Sequence, residues 1–275
     1  MSMKDLLVHL DRGENGGDVA DFAISLAAEL GAHLTAAGVV IEIVPPASFM
    51  GEFPYELMTE AADQARDAAE ASFQKLKQAA PASMGTDLVM IQSVAGEARE
   101  EFGRLARHFD LAIVGQARPQ TRGDDELMAE GALFRSGRPV FVVPYIHSGP
   151  VKLANALVCW DGGQQAARAL ADALPLLKRA GHVEVVAIAA KHESNDELPG
   201  FNITRHLSRH GISSKLKKIP YTADVGVTLL SHAADTRADF IVMGAYGHSR
   251  LREFILGGAT RTLLESRTVP VFMAH

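Results

Sequence analysis

An internal repeat constrains this chain more than any local motif. Residues Leu6 to Asp11, LLVHLD, run through a polar GENGGD turn into the helical pattern VADFAISLAAELGAHL. The same order returns at Ala156 to Asp161, ALVCWD, followed by GGQQAARALADALPLLKRAGHV. Asp161 lies 150 residues after Asp11. Further on, FDLAIVG ending at Gly115 matches ADFIVMG ending at Gly244, and the closing segments RPVFVVP and VPVFMAH match with Pro139 against Pro270. Self-similarity at so long a period means one structural plan used twice. The glycine offset shrinks to 129 and the proline offset is 131, because the first half carries extra chain, VVIEIVPPASFMGEFPYELM, between Ile41 and Met58. The division falls at the HSGP turn around Gly149, giving domains 1–148 and 149–275.

Within each half, short β-branched runs alternate with longer helical patterns. LTAAGVVI, DLVMIQSV, DLAIVG and PVFVVP are separated by AADQARDAAEASFQKLKQAA and EAREEFGRLARHF. That alternation predicts βαβ units and a parallel sheet covered on both faces, hence an α/β fold with two tandem open sheets. The first strand of each half runs toward an aspartate and the fourth ends in glycine. Both fall at the carboxyl edge of the sheet, where open α/β folds bind ligands at the point of strand-order reversal.

Composition removes several functions. A net charge of −6 over 275 residues argues against a general nucleic-acid or anionic-membrane binder, which needs a basic surface. Cys159 is the only cysteine, so no intramolecular disulfide and no cysteine metal cluster is expected. The amino terminus, MSMKDLLVHLDRGENGGD, breaks its apolar run at His9 and Asp11, and no uncharged apolar stretch is long enough for a membrane span. The expectation is a cytoplasmic protein.

The stretch from Gly244 to Arg261, GAYGHSRLREFILGGATR, is the candidate site. Gly244 and Gly247 let the backbone turn and approach a ligand, and Gly257 and Gly258 open the helical pattern ATRTLLES. Free N–H groups and the dipole at a helix start favour an anion. The spacing is neither a Walker A loop nor the dinucleotide fingerprint GxGxxG. Taken alone, these glycines serve equally well as turn and packing positions.

With these motifs in view, the chain resembles the universal stress protein family. Gly244, Gly247 and Gly257 match its Gly-x2-Gly-x9-Gly pattern in number and spacing, and Asp161 matches its adenosine-contacting aspartate. The resemblance covers almost the whole chain as a tandem member. It implies Rossmann-like domains of the adenine nucleotide alpha hydrolase type and a stress-response regulatory role with ATP or AMP, with or without Mg²⁺, bound in the second domain. The implied nucleotide-binding residues are Cys159, Trp160, Asp161, Ile188, Met243, Gly244, Gly247, His248, Gly257, Gly258 and Ala259. One position departs from the pattern: Gly258 stands where the family carries a serine or threonine, so a backbone N–H remains and a hydroxyl is lost. Alternatives stay open for Trp160 as a core-covering aromatic, for Asp161 as a helix cap and for His248 as part of a solvated loop. No general base or Mg²⁺ ligand set is evident, so at most a slow ATPase is expected. A second function stands beside nucleotide binding: an interaction module in which the glycine loop is purely structural.

The first half has lost the loop. Its Gly115 is retained, but Arg118 falls where Gly247 stands, and Glu126, beside Asp124 and Asp125, falls where Gly257 stands. Carboxylates there oppose an anion, so this half is expected to be a scaffold or partner surface. His206 and His210 share a helix face without a metal-ligand set around them, and no structural metal is expected. The apolar runs Val140 to Val143 and Val271 to Met273 are expected to join edge to edge, pairing the domains within one chain and leaving a homodimer open.

Overall fold

The computed structural model describes residues 2–10, 16–42, 55–94, 96–116, 124–189, 202–220, 225–245 and 268–275. It divides into two compact units, one of residues 3–138 and 148–150, the other of residues 1–2, 139–147 and 151–275.

The first unit contains β1 (Asp5–His9), α1 (Gly16–Leu30), β2 (His33–Glu42), α2 (Tyr55–Ala79), β3 (Thr86–Val94), α3 (Ala98–Ala106), β4 (Leu111–Gly115) and α4 (Asp124–Arg135). Its strands lie in the order β3-β2-β1-β4, and the pairs β1·β2, β2·β3 and β1·β4 are parallel. Leu6, Leu7 and Val8 of β1 and every residue of β4 are buried, the pattern of strands covered on both faces. The long, alanine-rich α2 is amphipathic: Ala65, Ala69, Phe73 and Leu76 are buried at helical spacing while its acids and bases are mostly exposed.

The second unit contains β5 (Val140–Val143), β6 (Asn155–Cys159), α5 (Gln164–Leu177), β7 (His182–Ala189), α6 (Ile203–Arg209), β8 (Ser214–Pro220), α7 (Val225–Asp235), β9 (Phe240–Gly244) and β10 (Val271–Ala274). Its order is β5-β10-β9-β6-β7-β8, parallel except that β5 runs antiparallel to β10. The closing segments of the two sequence halves therefore do pair, with Val271 opposite Val142, Phe272 opposite Phe141 and Met273 opposite Val140. This ladder places residues 139–147 within the second unit. Phe141 packs edge-on against Phe272 at 5.7 Å between ring centroids and tilted against Phe240 at 6.1 Å, all three fully buried.

The repeat visible in the sequence extends to its hydrogen bonds. Asp110 Oδ2, immediately before β4, accepts the backbone N–H of Lys4 at 2.6 Å and of Asp5 at 3.1 Å. Asp239 Oδ2, immediately before β9, accepts that of Asn155 at 2.8 Å. The backbone answers in both units, Asp110 N–H donating to Asp5 O and Asp239 N–H to Asn155 O. Each aspartate thus clamps the start of a unit's first strand to the start of its fourth.

Replacing Asp239 by alanine is expected to cost about 1–3 kcal/mol, since it leaves a partly buried N–H without its acceptor. Phe272→Ala should cost about 3–5 kcal/mol through the cavity between β5 and β9. Urea unfolding of the purified variants measures both; a Phe272→Ala protein as stable as the parent would contradict the packing described.

Candidate functional site

In the second unit strand order reverses between β6 and β9, which are parallel neighbours with Val158 opposite Val242. Their carboxyl ends bring Cys159, Trp160 and Asp161 beside Met243, Gly244 and Ala245, although more than eighty residues separate the two segments. Such a crevice is the standard ligand position of an open parallel sheet. β6 itself stops at Cys159, two residues short of the aspartate at which the sequence has the first strand end. Trp160 still donates its N–H to Val186 O of β7 at 2.8 Å, and Asp161 stands beyond, exposed.

Asp161 Oδ1 accepts the N–H of Gly163 at 2.8 Å, two residues ahead and at the N-cap of α5. The helix cap is Gly163 and not Asp161, contrary to the capping alternative: the Asp161 carboxylate instead shapes the turn that leads into the helix, and its exposure leaves it within reach of solvent or a ligand. Met243, next to Gly244 at the end of β9, is buried. Trp160 is half-buried and follows β6 directly. The Ile188 backbone lies at the carboxyl end of β7, opposite Ile219 and two residues past Val186, so it borders the same edge. Gly247, His248, Gly257, Gly258 and Ala259 lie outside the described residues.

Burial of the Cys159 thiol, with the neighbouring Asp161 charge adding to it, pushes its pKa up to about 12. The sulfur is therefore a neutral, inert packing group and not a nucleophile at neutral pH.

Gly244 has a structural cause for being glycine. A Cβ built on it would collide with the Ala166 nitrogen and the Gln165 carbonyl carbon, so β9 approaches the first turn of α5 too closely for any side chain. Two further groups at this edge carried no signal in the sequence. His275 Nδ1 donates to Ala245 O at 2.9 Å and Ala245 N donates to Ala274 O, tying the residue after Gly244 to the chain's last strand. Gln165 Oε1 is buried with no hydrogen-bond partner among the described residues. Among those residues no group of acids, histidines or cysteines is placed to hold a metal ion.

The first unit reverses strand order between β1 and β4, and the equivalent crevice is filled from within. His9, at the end of β1 where the second unit has Cys159, places Nδ1 2.8 Å from Asp125 Oδ1, and both side chains are almost wholly buried. Asp125 comes from the first turn of α4, and Phe102 packs edge-on against the His9 ring at 5.6 Å. A Cβ on Gly115 would lie 2.9 Å from Asp125 Oδ2. Of the acids that the sequence places here, Glu126 is exposed and Asp125 is the one that reaches the strand end. Adjacent helical residues point about 100° apart, so a displacement of one position decides between core and solvent.

Comparison with known proteins agrees with this architecture. Residues 191–275 match the model described as the universal stress protein family. A universal stress protein from Archaeoglobus fulgidus DSM 4304 superposes with a TM-score of 0.73 at 18% identity, covering 99% of this chain and 96% of that one. A functionally unknown protein from Pseudomonas aeruginosa PAO1 superposes with a TM-score of 0.57 at 15% identity, covering 99% and 92%. At such identities the structural likeness speaks for the fold. A search of curated proteins finds no match.

The Cys159 thiol should resist a disulfide reagent at pH 8 in the folded protein and react promptly in denaturant. Because the folded thiol stays neutral after the unfolded one ionises, stability should be unaffected by this group below about pH 8.5. It should then fall by about 1.4 kcal/mol per pH unit toward about pH 12. Parallel melts of the parent and Cys159→Ala, which lacks this dependence, isolate the effect. At the filled crevice, Asp125→Leu alone should cost about 1–3 kcal/mol, and His9→Leu should cost less in that background than in the parent. Additive losses in a double-mutant cycle would show that the pair is not coupled.

Proposed function

We propose, for a chain whose residues 191–275 match the universal stress protein family, that the second unit binds an adenine nucleotide, ATP or AMP, as a stress-response regulatory protein. The observation that carries this is the contrast between two copies of one crevice. In the first unit the His9–Asp125 pair occupies the strand ends, whereas in the second Asp161 carries an exposed carboxylate past the end of β6 and Met243 is buried at the end of the neighbouring β9.

The residues fit a nucleoside. Asp161 is placed to accept from ribose hydroxyls, Trp160 and Met243 offer apolar surface to a base, and Gln165 Oε1 is a buried acceptor with no partner among the described residues. By the family pattern, the N–H groups of Gly257, Gly258 and Ala259 would hold phosphates. The Gly258 position supplies no hydroxyl, which lowers phosphate affinity by about ten- to a hundredfold relative to a serine there. Binding, with Mg²⁺ or without it, would act by changing shape or partner choice. Among the described residues of this edge, neither Cys159, held as a neutral thiol, nor an acid–base pair offers a nucleophile for turnover.

A second reading, an interaction module that binds no nucleotide, draws on Gly244, whose closeness to α5 accounts for that glycine without a ligand. Calorimetric titration with ATP, ADP, AMP and a buffer blank separates the two. Saturable ATP or AMP binding that weakens about ten- to a hundredfold in Asp161→Ala is expected, with the ligand-free melting temperature lowered only slightly through loss of the Gly163 hydrogen bond. Absence of heat with every nucleotide would leave the interaction module as the function.

A further inference from the structure

We propose that β8 is a docking edge for an extended acidic segment of a partner protein, which adds to the sheet as a further strand. Residues 202–220, comprising α6, its turn and β8, carry Arg205, Arg209, Lys215, Lys217 and Lys218 and no aspartate or glutamate, in a chain whose net charge is −6. That concentration of one sign stands apart from the rest of the molecule. Lys215, Leu216, Lys217 and Lys218 are all exposed, and among the described residues β8 pairs with β7 alone. An unpaired strand edge offers alternating N–H and C=O groups, and only an extended backbone matches that spacing.

The other terminal strand in the strand order shows that a basic run is not a general property of this fold. β3, with the sequence TDLVMIQSV, has Asp87 as its single charge, 3.2 Å from His33. Lysines on an exposed strand ordinarily deter edge pairing, because two basic edges repel. The same charges reject a second β8 and any neutral strand less strongly than they attract a carboxylate-rich one, so deterrence and selectivity share one origin. Leu216, 37% exposed, gives the incoming strand an apolar contact between Lys215 and Lys217.

At the start of β8 the edge runs into an open groove of about 580 Å³ bordered by Thr204, Arg205, Ser208, Ser213 and Ser214. Its hydroxyls and guanidinium suit carboxylate oxygens, and Ser214 Oγ is buried without a hydrogen-bond partner among the described residues. Helix α6 does not supply this site through its N-terminus, since Asn202 Oδ1 already accepts the Arg205 N–H at 2.8 Å. A single-stranded nucleic acid is the less suitable occupant: residues 202–220 contain no phenylalanine, tyrosine or tryptophan for base stacking.

The test titrates the full chain into a fluorescent peptide that alternates glutamate with valine and threonine, followed by anisotropy. Saturable binding that weakens with salt is expected, with a loss of about tenfold or more in the Lys215→Glu, Lys217→Glu variant. The Lys215→Gln, Lys217→Gln variant, checked by thermal melting against the parent, should show a smaller loss in the same direction. Hydrogen exchange should slow in the β8 amides when peptide is bound. A peptide of the same charge with proline at the alternate positions should fail to bind, and equal binding would reduce the surface to a charge patch and overturn the proposal. Tighter binding of a single-stranded oligonucleotide that displaces the peptide would also overturn it. So would no binding of the acidic peptide, or β8 protection through self-association in its absence.

Discussion

The candidate site depends on the parallel pairing of each unit's first strand with its fourth. That pairing is secured at its lower end by a carboxylate: Asp110 holds the backbone of Lys4 and Asp5, and Asp239 holds that of Asn155. Because these bonds fix where the two strands begin, they also fix where they end. The crevice at the upper edge, between β6 and β9 or between β1 and β4, is a consequence of register set at the opposite edge. Short buried strands of five residues tolerate little slippage, as a shift of one residue turns every side chain to the other face.

Two copies of one crevice have taken different courses under the same geometric rule. Each fourth strand ends in a glycine that cannot carry a side chain without collision. At Gly244 the obstacle is the backbone at the start of α5; at Gly115 it is the Asp125 carboxylate and the Val19 side chain. In the first unit a histidine and an aspartate from distant parts of the chain satisfy each other in the space. In the second, the corresponding strand end carries a neutral thiol and an exposed carboxylate. At the second crevice Gln165 Oε1 is buried without a hydrogen-bond partner among the described residues.

Much of the architecture was legible in residue patterns. The duplication, the alternation of strand and helix and the amphipathic α2 each leave a periodic trace, and matching closing segments foretold the ladder between Phe141 and Phe272. The site was legible only where it follows from that plan. Cys159, Trp160, Asp161, Met243 and Gly244 lie at predicted strand ends, so recognising the strands located them. The sequence placed three acids, Asp124, Asp125 and Glu126, at the start of α4, and only the structure singled out Asp125 as the one that reaches the strand end. His275 and Gln165 gave no sign at all, since a single polar residue near a strand or helix end has no pattern of its own.

The sequence by itself determined the plan: two α/β repeats, the direction of their strands and the edge at which chemistry would gather. Those features arise from local preference and from the period of buried residues, both of which are written along the chain. Only the tertiary structure decided what occupies each edge. His9 meets Asp125 across 116 residues, and Gly244 meets the start of α5 with several strands and helices between them in the chain. Contacts at such separations are set by the sum of packing around them, and no local periodicity records that sum.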